Sequence, residues 1–209
     1  IRIFGENGQE LGPNEEGYIV IKLPLPPGTL LDLWKDNERF KAGYLNKFPG
    51  YYFSGDGGYK DDDDYIYITG RVDDVINVAG HRLSTAEMEE IVASHHSVAE
   101  CAVIGINDEL KGQIPLALVV AKSGEDIEHF QLQYEVVHLV REQIGAVASL
   151  RDVVVVNRLP KTRSGKILRK MMRSIADGEK FQIPSTIDDE AIIDEIREVL
   201  EHAKIGCFK

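Results

Sequence analysis

At 209 residues, with 43% hydrophobic and 28% charged side chains and a formal net charge of −11, the chain has the makeup of one globular domain or two small ones. The acidity argues against a general nucleic-acid or membrane-surface binder, and no apolar run approaches the roughly 20 residues that span a bilayer. Cys101, inside the apolar run "CAVIGI", and Cys207 read as reduced thiols, which points to an intracellular compartment.

The chain opens on the strand pattern "IRIF", with no Met and no secretory signal, as a piece of a longer protein would. "IRIFGENGQELG" predicts a strand, a turn at Asn7-Gly8 and a second strand. "GYIVIKLPL" is a further strand, closed by Pro24, Pro26 and Pro27. "TLLDLWKDNERFKAGYL" carries mixed helical spacing, and "YYFSGDGGYKDDDDYIYITGR" reads as two strands around an Asp-rich turn. "TAEMEEIVASH" predicts a helix capped by Ser84 or Thr85, with Glu87 suited to a capping box. The strands "VAECAVIGI" and "IPLALVVAK" follow, the second demoted at its start by Pro115. "QLQYEVVHLVREQI" is an amphipathic helix facing inward through Val136, Val137, Leu139 and Val140, and "DVVVV" is another strand. After a basic loop come the helix "KILRKMMRSIAD", a linker with Pro184, and the helix "EAIIDEIREVLEHA", striped by Ile192, Ile193, Ile196, Val199 and Leu200. The class is α+β, with a β-rich first third and a small mixed domain beyond it. The boundary lies near "GRVDDVINVAG", where a flexible joint and an ordinary hairpin turn both remain open.

The basic loop stands out against the acidity. Lys161, Arg163, Lys166, Arg169, Lys170 and Arg173 follow one another with no acid between, so the rest of the chain carries −17 (−11 less +6). "SGK" invites comparison with a phosphate-binding P-loop, but no glycine precedes Gly165 at that spacing and Ile167 follows the lysine. Gly165 suits a tight turn, and Ser164 can cap the next helix, which would set Lys166 at its start, where an approaching anion meets both dipole and ammonium. A solvated basic loop, with Ile167, Leu168, Met171, Met172 and Ile175 turned inward, is the plainer alternative.

"YYFSGDGGYKDDDDYIYITGRVDDVINVAGHRLSTAEME" followed by "LPKTRSGKILRK" resembles the AMP-forming acyl-CoA synthetases of the adenylate-forming superfamily, short-chain acetyl- and propionyl-CoA synthetases above all. The resemblance covers nearly the whole chain. It implies that residues 1–72 end a large adenylating domain, as a distorted β-barrel subdomain. Residues 73–209 would form a mobile C-terminal domain, a short sheet flanked by helices, hinged at Asp73. It implies ATP with Mg2+ and CoA as co-substrates, a short-chain carboxylic acid, and a missing N-terminal domain as partner. Asp56 would hold the AMP ribose, Arg71 and Arg82 the nucleotide, and Lys166 would be the catalytic lysine of adenylation. Ala79 and Gly80 would line the pantetheine path, without the hydroxyl that many acetyl enzymes have at Ala79. Arg141 would meet the CoA nucleotide, against the plain reading of a solvated helix charge. Backbone carbonyls of Ala93, His95 and Val98 would hold a Mg2+ ion.

The resemblance also implies a lysine acetyltransferase and deacetylase acting on Lys166, a cytoplasmic or mitochondrial-matrix location, no nucleic acid and no membrane. The fragment alone would be inactive. A ligase with another acid or a carrier-protein acceptor, and a non-catalytic anion-binding module, are the alternatives. The run "DDDD" at 61–64 reads as a solvated hairpin tip rather than a cation site. His95-His96 reads as a solvated pair pointing different ways.

Overall fold

The computed structural model describes residues 1–124 and 127–209, with Asp73 described by its backbone alone, and divides into two units, Ile1–Asp73 and Asp74–Lys209. Each is α+β in makeup, and no described helix is long and apolar enough to cross a membrane.

The first unit is a four-stranded antiparallel sheet in the order β1 (Arg2–Phe4), β2 (Gly17–Lys22), β3 (Tyr51–Lys60), β4 (Ile66–Arg71), with helix α1 (Asn37–Tyr44). Its core gathers Phe4, Tyr18, Val20 and Phe48, with the Phe4 and Phe48 rings edge to face at 5.5 Å. The strand expected after Asn7-Gly8 shrinks to a bridge between Phe4 and Glu10, because Pro13 and the left-handed Asn14 (φ 63°) turn the chain away. The true partner of β1 is β2. Between β3 and β4 the Asp-rich turn forms as read. Asp61 Oδ1 accepts from the N–H groups of Asp63 and Tyr65 at 3.0 and 2.9 Å, an Asx turn at an exposed tip.

The second unit holds the hairpin β5 (Val75–Val78) and β6 (His81–Ser84), then α2 (Thr85–Ala93), β7 (Val98–Asp108), β8 (Gly112–Ala121), α3 (His129–Gln143), β9 (Asp152–Val155), α4 (Arg169–Ala176) and α5 (Ile192–Ala203). The sheet runs β6-β5-β8-β7, all antiparallel, and β9 joins β8 in parallel. Strand β7 is an edge. Residue alternation sorts the helices into two layers. Ala102, Ile104, Ile106, Leu116, Leu118 and Val154 meet α4 and α5 on one face. Val103, Ala117, Val119 and Val153 meet α2 and α3 on the other. Ser84 caps α2 as expected, accepting from Glu87 N–H at 3.4 Å. Pro115 does not delay β8, which starts at Gly112. The proline falls between the β5 pairing at Gly112 and the β9 pairing from Leu116, where a missing N–H is tolerated.

Candidate functional site

In the first unit the β3–β4 register sets Asp56 opposite Arg71. Arg71 Nη1 lies 3.3 Å from Asp56 Oδ1 and donates to the Ser54 carbonyl at 3.1 Å. The approach needs Gly55. Its φ is +79°, and a Cβ there would sit 2.6 Å from Arg71 Nη2. Gly55 and Arg71 also line a groove of about 490 Å3 with Trp34 and Tyr44. A carboxylate with a guanidinium beside it presents acceptors for hydroxyls and donors for anions.

In the second unit the lysine loop closes on itself. Thr162 N–H donates to the Lys166 carbonyl at 2.9 Å, Gly165 N–H to the Thr162 carbonyl at 2.8 Å, and Lys166 N–H to Thr162 Oγ1 at 3.1 Å. Gly165 has φ +85°, and Lys161 pairs with Ile167 as a bridge. Lys166 is therefore not at a helix start. The hairpin-like closure uses up its carbonyl, and α4 begins only at Arg169, with Leu168 as an N-cap that gives no side-chain bond. Ser164 caps no helix; its hydroxyl meets Thr162 Oγ1 at 3.0 Å. Lys166 is exposed, and its ammonium has no hydrogen-bond or ion-pair partner among the described residues. Most of the neighbouring cations are engaged, exposed Lys170 being the exception among the described residues. Lys161 meets Glu100 at 2.6 Å, Arg163 donates to the Ser185 carbonyl at 3.1 Å, and Arg169 forms a two-pronged pair with Glu89 at 2.8 and 2.7 Å. Ile167, Leu168, Met171, Met172 and Ile175 pack inward as read.

The β5–β6 hairpin gathers three predicted residues. Ala79 (φ 49°) and Gly80 (φ 90°) form its turn, and Arg82 stands opposite Asn77 on its exposed side. The turn is held from below. Ala79 N–H donates to the Lys111 carbonyl at 2.8 Å, Gly80 N–H to Asn77 Oδ1 at 3.0 Å, and Asn77 N–H to Gln113 Oε1 at 2.9 Å. Lys111 also ties the hairpin to Arg141. Both line a cleft of about 260 Å3 with Arg151, Gly145 and Ser149, and Lys111 Nζ donates to Ser149 Oγ at 2.8 Å. Sequence reading missed Lys111 and Arg151, because only the β7–β8 turn and the segment after α3 bring them to Arg141. The backbone of Asp73 lies in the 3-10 turn Val72–Asp74, at the boundary of the units; its side chain is outside the described residues.

Ala93 ends α2, His95 follows in the turn and Val98 opens β7. Carbonyls at the negative end of a helix suit a hard cation, so the donor type fits Mg2+. Among the described residues no group of three or more His, Cys, Asp or Glu is placed to hold a metal, so an ion at this turn would depend on backbone oxygen. The two histidines are not a splayed, solvated pair. Their rings stack at 4.6 Å, and His95 is buried at 9% exposure, with Nε2 2.9 Å from Glu135 and Nδ1 accepting from Ser97 N–H. The turn at Ser94–Ser97 folds His95 under α3, which sequence adjacency does not reveal.

Residues 87–166 match the AMP-binding enzyme C-terminal domain family. An uncharacterized protein of Pseudomonas aeruginosa is 59% identical over 206 residues, 99% of this chain and 33% of that protein. The mitochondrial acyl-CoA synthetase short-chain family member 3 of Mus musculus is 49% identical over 203 residues, 97% of this chain and 30% of that protein. The crystal structure of ATP-bound MatB from Rhodopseudomonas palustris matches with a TM-score of 0.67 at 26% identity, over 83% of this chain and 33% of that one. The chain thus spans about a third of the length of the curated relatives it matches.

Proposed function

We propose, for a chain that belongs to the adenylate-forming acyl-CoA synthetases, that it is the C-terminal part of an enzyme joining a short-chain carboxylic acid, such as acetate or propionate, to CoA. In the first half-reaction the acid's carboxylate oxygen attacks the α-phosphate of ATP and pyrophosphate leaves, giving an acyl-adenylate. In the second, the CoA thiol attacks the acyl carbon and AMP leaves. Asp56 accepts from the ribose hydroxyls, while Arg71 and Arg82 donate to the nucleotide. Mg2+ carried by ATP offsets charge on the phosphates.

Lys166 is the adenylating residue. Phosphoryl attack concentrates negative charge in the transition state, and an ammonium delivered there stabilises that state above the ground state. The observation that carries this assignment is an exposed Lys166 without a partner among the described residues, on a loop whose other cations are mostly engaged within the domain. Thioester formation builds no such charge, so movement about Asp73 withdraws the lysine and presents Ala79, Gly80 and Arg141 to CoA. Two features support this reading. The unit boundary falls at Asp73, and the lysine loop packs with the α4–α5 layer while the Arg141 cleft lies by α3, on the other side of the sheet. Lys111, Arg141 and Arg151 around one cleft suit the phosphates of the CoA nucleotide. Exposure of Lys166 also suits an acetyltransferase and deacetylase, since acetylation would remove the charge adenylation needs. A mitochondrial or cytoplasmic location fits these substrates.

The test separates the half-reactions in the full-length protein. Lys166→Ala is expected to slow ATP–pyrophosphate exchange by about 10²–10³-fold, the scale for losing one charge-stabilising contact. Thioester formation from supplied acyl-adenylate and CoA should stay near wild type. Equal loss of both would overturn the role of Lys166. Adenylate formation without CoA-dependent product would identify a different acceptor.

A further inference from the structure

The α4 helix and the lysine loop before it hang on the free edge of the sheet. Met171, Met172 and Ile175 pack α4 into the core, main-chain bonds tie the loop to Thr186 and Asp188, and three polar contacts along β7 complete the hold. Lys161, at the start of the loop, pairs with Glu100. Glu89 Oε1 accepts from Val103 N–H at 2.8 Å and from Arg169 Nε at 2.8 Å, and Glu89 Oε2 accepts from Arg169 Nη2 at 2.7 Å. Asp177, closing α4, accepts from Asn107 N–H at 2.9 Å. The middle contact differs in kind. Glu89 belongs to α2, on the far layer from α4, so the pair reaches around the edge strand and joins the two helix layers. Its side chains are only 16% and 27% exposed, so water competes weakly for them. Two parallel N–H···O bonds fix direction as well as distance, which a single point charge does not.

Arg169 is three residues past Lys166, and the intervening chain is short of slack because Leu168 N–H is bonded to the Pro160 carbonyl at 2.9 Å. We propose that Arg169 is a positioning residue for Lys166: its paired bonds to Glu89, across the β7 edge, hold the lysine loop rigid against the rest of the domain. The inference rests on the adenylation role given to Lys166 above. A hinge can place an ammonium on a phosphate only if the body that carries it does not flex. Asp74, the first residue of the unit, adds after Glu89 to the field that favours the Arg169 charge, so the unit's point of entry and its lysine loop share one electrostatic anchor.

The experiment uses the full-length protein with Arg169→Ala, Arg169→Lys, Glu89→Gln and, as reference, Lys166→Ala. Arg169→Ala and Glu89→Gln are each expected to lower kcat for ATP–pyrophosphate exchange by about ten- to a hundredfold, the effect of a misplacement of order 1 Å. KM for ATP and thioester formation from supplied acyl-adenylate should stay within about twofold, since neither uses the position of Lys166. Arg169→Lys should recover part of kcat, and it remains the measurable variant if the alanine form does not fold. The proposal is overturned if exchange is unaffected, or if both half-reactions fall together with the melting temperature, as a merely structural pair would give. It is also overturned if KM for ATP rises in the Arg169 variants but not in Glu89→Gln, which would make Arg169 a nucleotide contact. If Lys166→Ala keeps full exchange, the lysine assignment itself fails. If Lys166→Ala abolishes exchange and Arg169→Ala does not, the positioning role alone fails.

Discussion

Two leucines of the second unit make a paired test of its layering. Leu118, in β8, is 0% exposed and lies between the sheet neighbours Ala102 and Val154 on the face covered by α4 and α5. Leu110, in the β7–β8 turn, is 95% exposed. Leu118→Ala removes three carbons from a closed core, about 2.4 kcal/mol at about 0.8 kcal/mol each, and the unfilled cavity raises the loss to about 3–4 kcal/mol. Leu110→Ala should change stability by no more than about 0.5 kcal/mol. Urea unfolding followed by far-UV circular dichroism reads the helices; among the described residues, four of the five lie in the second unit. With a slope of about 1–3 kcal/mol/M, the midpoint for Leu118→Ala should fall by about 1–4 M. A Leu118→Ala loss below about 1 kcal/mol, or an equal loss for Leu110→Ala, would refute the three-layer packing from which these figures come.

The Cys101 thiol is pushed up to about 11, by burial first and then by Glu89. A thiol reagent at neutral pH should therefore modify exposed Cys207 quickly and Cys101 only after unfolding. The Glu135 carboxyl is held below its ordinary range by bonds from Gln131 and then His95. A depressed carboxylate contributes stability above its unfolded pKa and loses it as pH falls through the folded value, so the melting-temperature gap between wild type and Glu135→Gln should close on acidification. Gly55→Ala puts a Cβ against Arg71 Nη2 at positive φ, which strains the backbone by about 1–2 kcal/mol. In the full-length protein it should raise KM for ATP several-fold and weaken use of supplied acyl-adenylate as well, since both carry the same nucleotide; an unchanged KM would remove Arg71 from the nucleotide site.

Periodicity made most elements of the second unit legible. The Ile192–Leu200 stripe, the "AVIGI" and "LALVV" runs and the Ser84 cap each depend on residues close in sequence, and each stands where the pattern put it. The lysine loop was misread because its decisive bond is non-helical. Thr162 and Lys166 pair their main chains, and no side-chain pattern announces that choice. Lys111, Arg151, Glu89 and Glu100 were invisible for another reason. A charge in a sequence shows its type but not what it meets: Glu89 pairs with Arg169 eighty positions on and Glu100 with Lys161, while Lys111 and Arg151 reach the Arg141 cleft from separate segments. Burial of His95 is likewise a property of α3 meeting the α2–β7 turn.

The same long-range pairing answers why an acidic chain carries a dense cationic run. If the six charges faced solvent together, they would make a polyanion site and bind with steep salt dependence. Instead Glu100 and Glu89 neutralise Lys161 and Arg169, and the Ser185 carbonyl draws Arg163 aside. Arg173 is also engaged. The acids that give the chain its negative balance thus convert most of a patch into a mount, and Lys166, like exposed Lys170 on α4, keeps a charge its own domain does not quench. A lysine that must serve one half-reaction and then leave requires this arrangement. A flexible patch would find the phosphates by diffusion and cling to them, whereas a fixed ammonium can be brought and removed by moving the body that carries it.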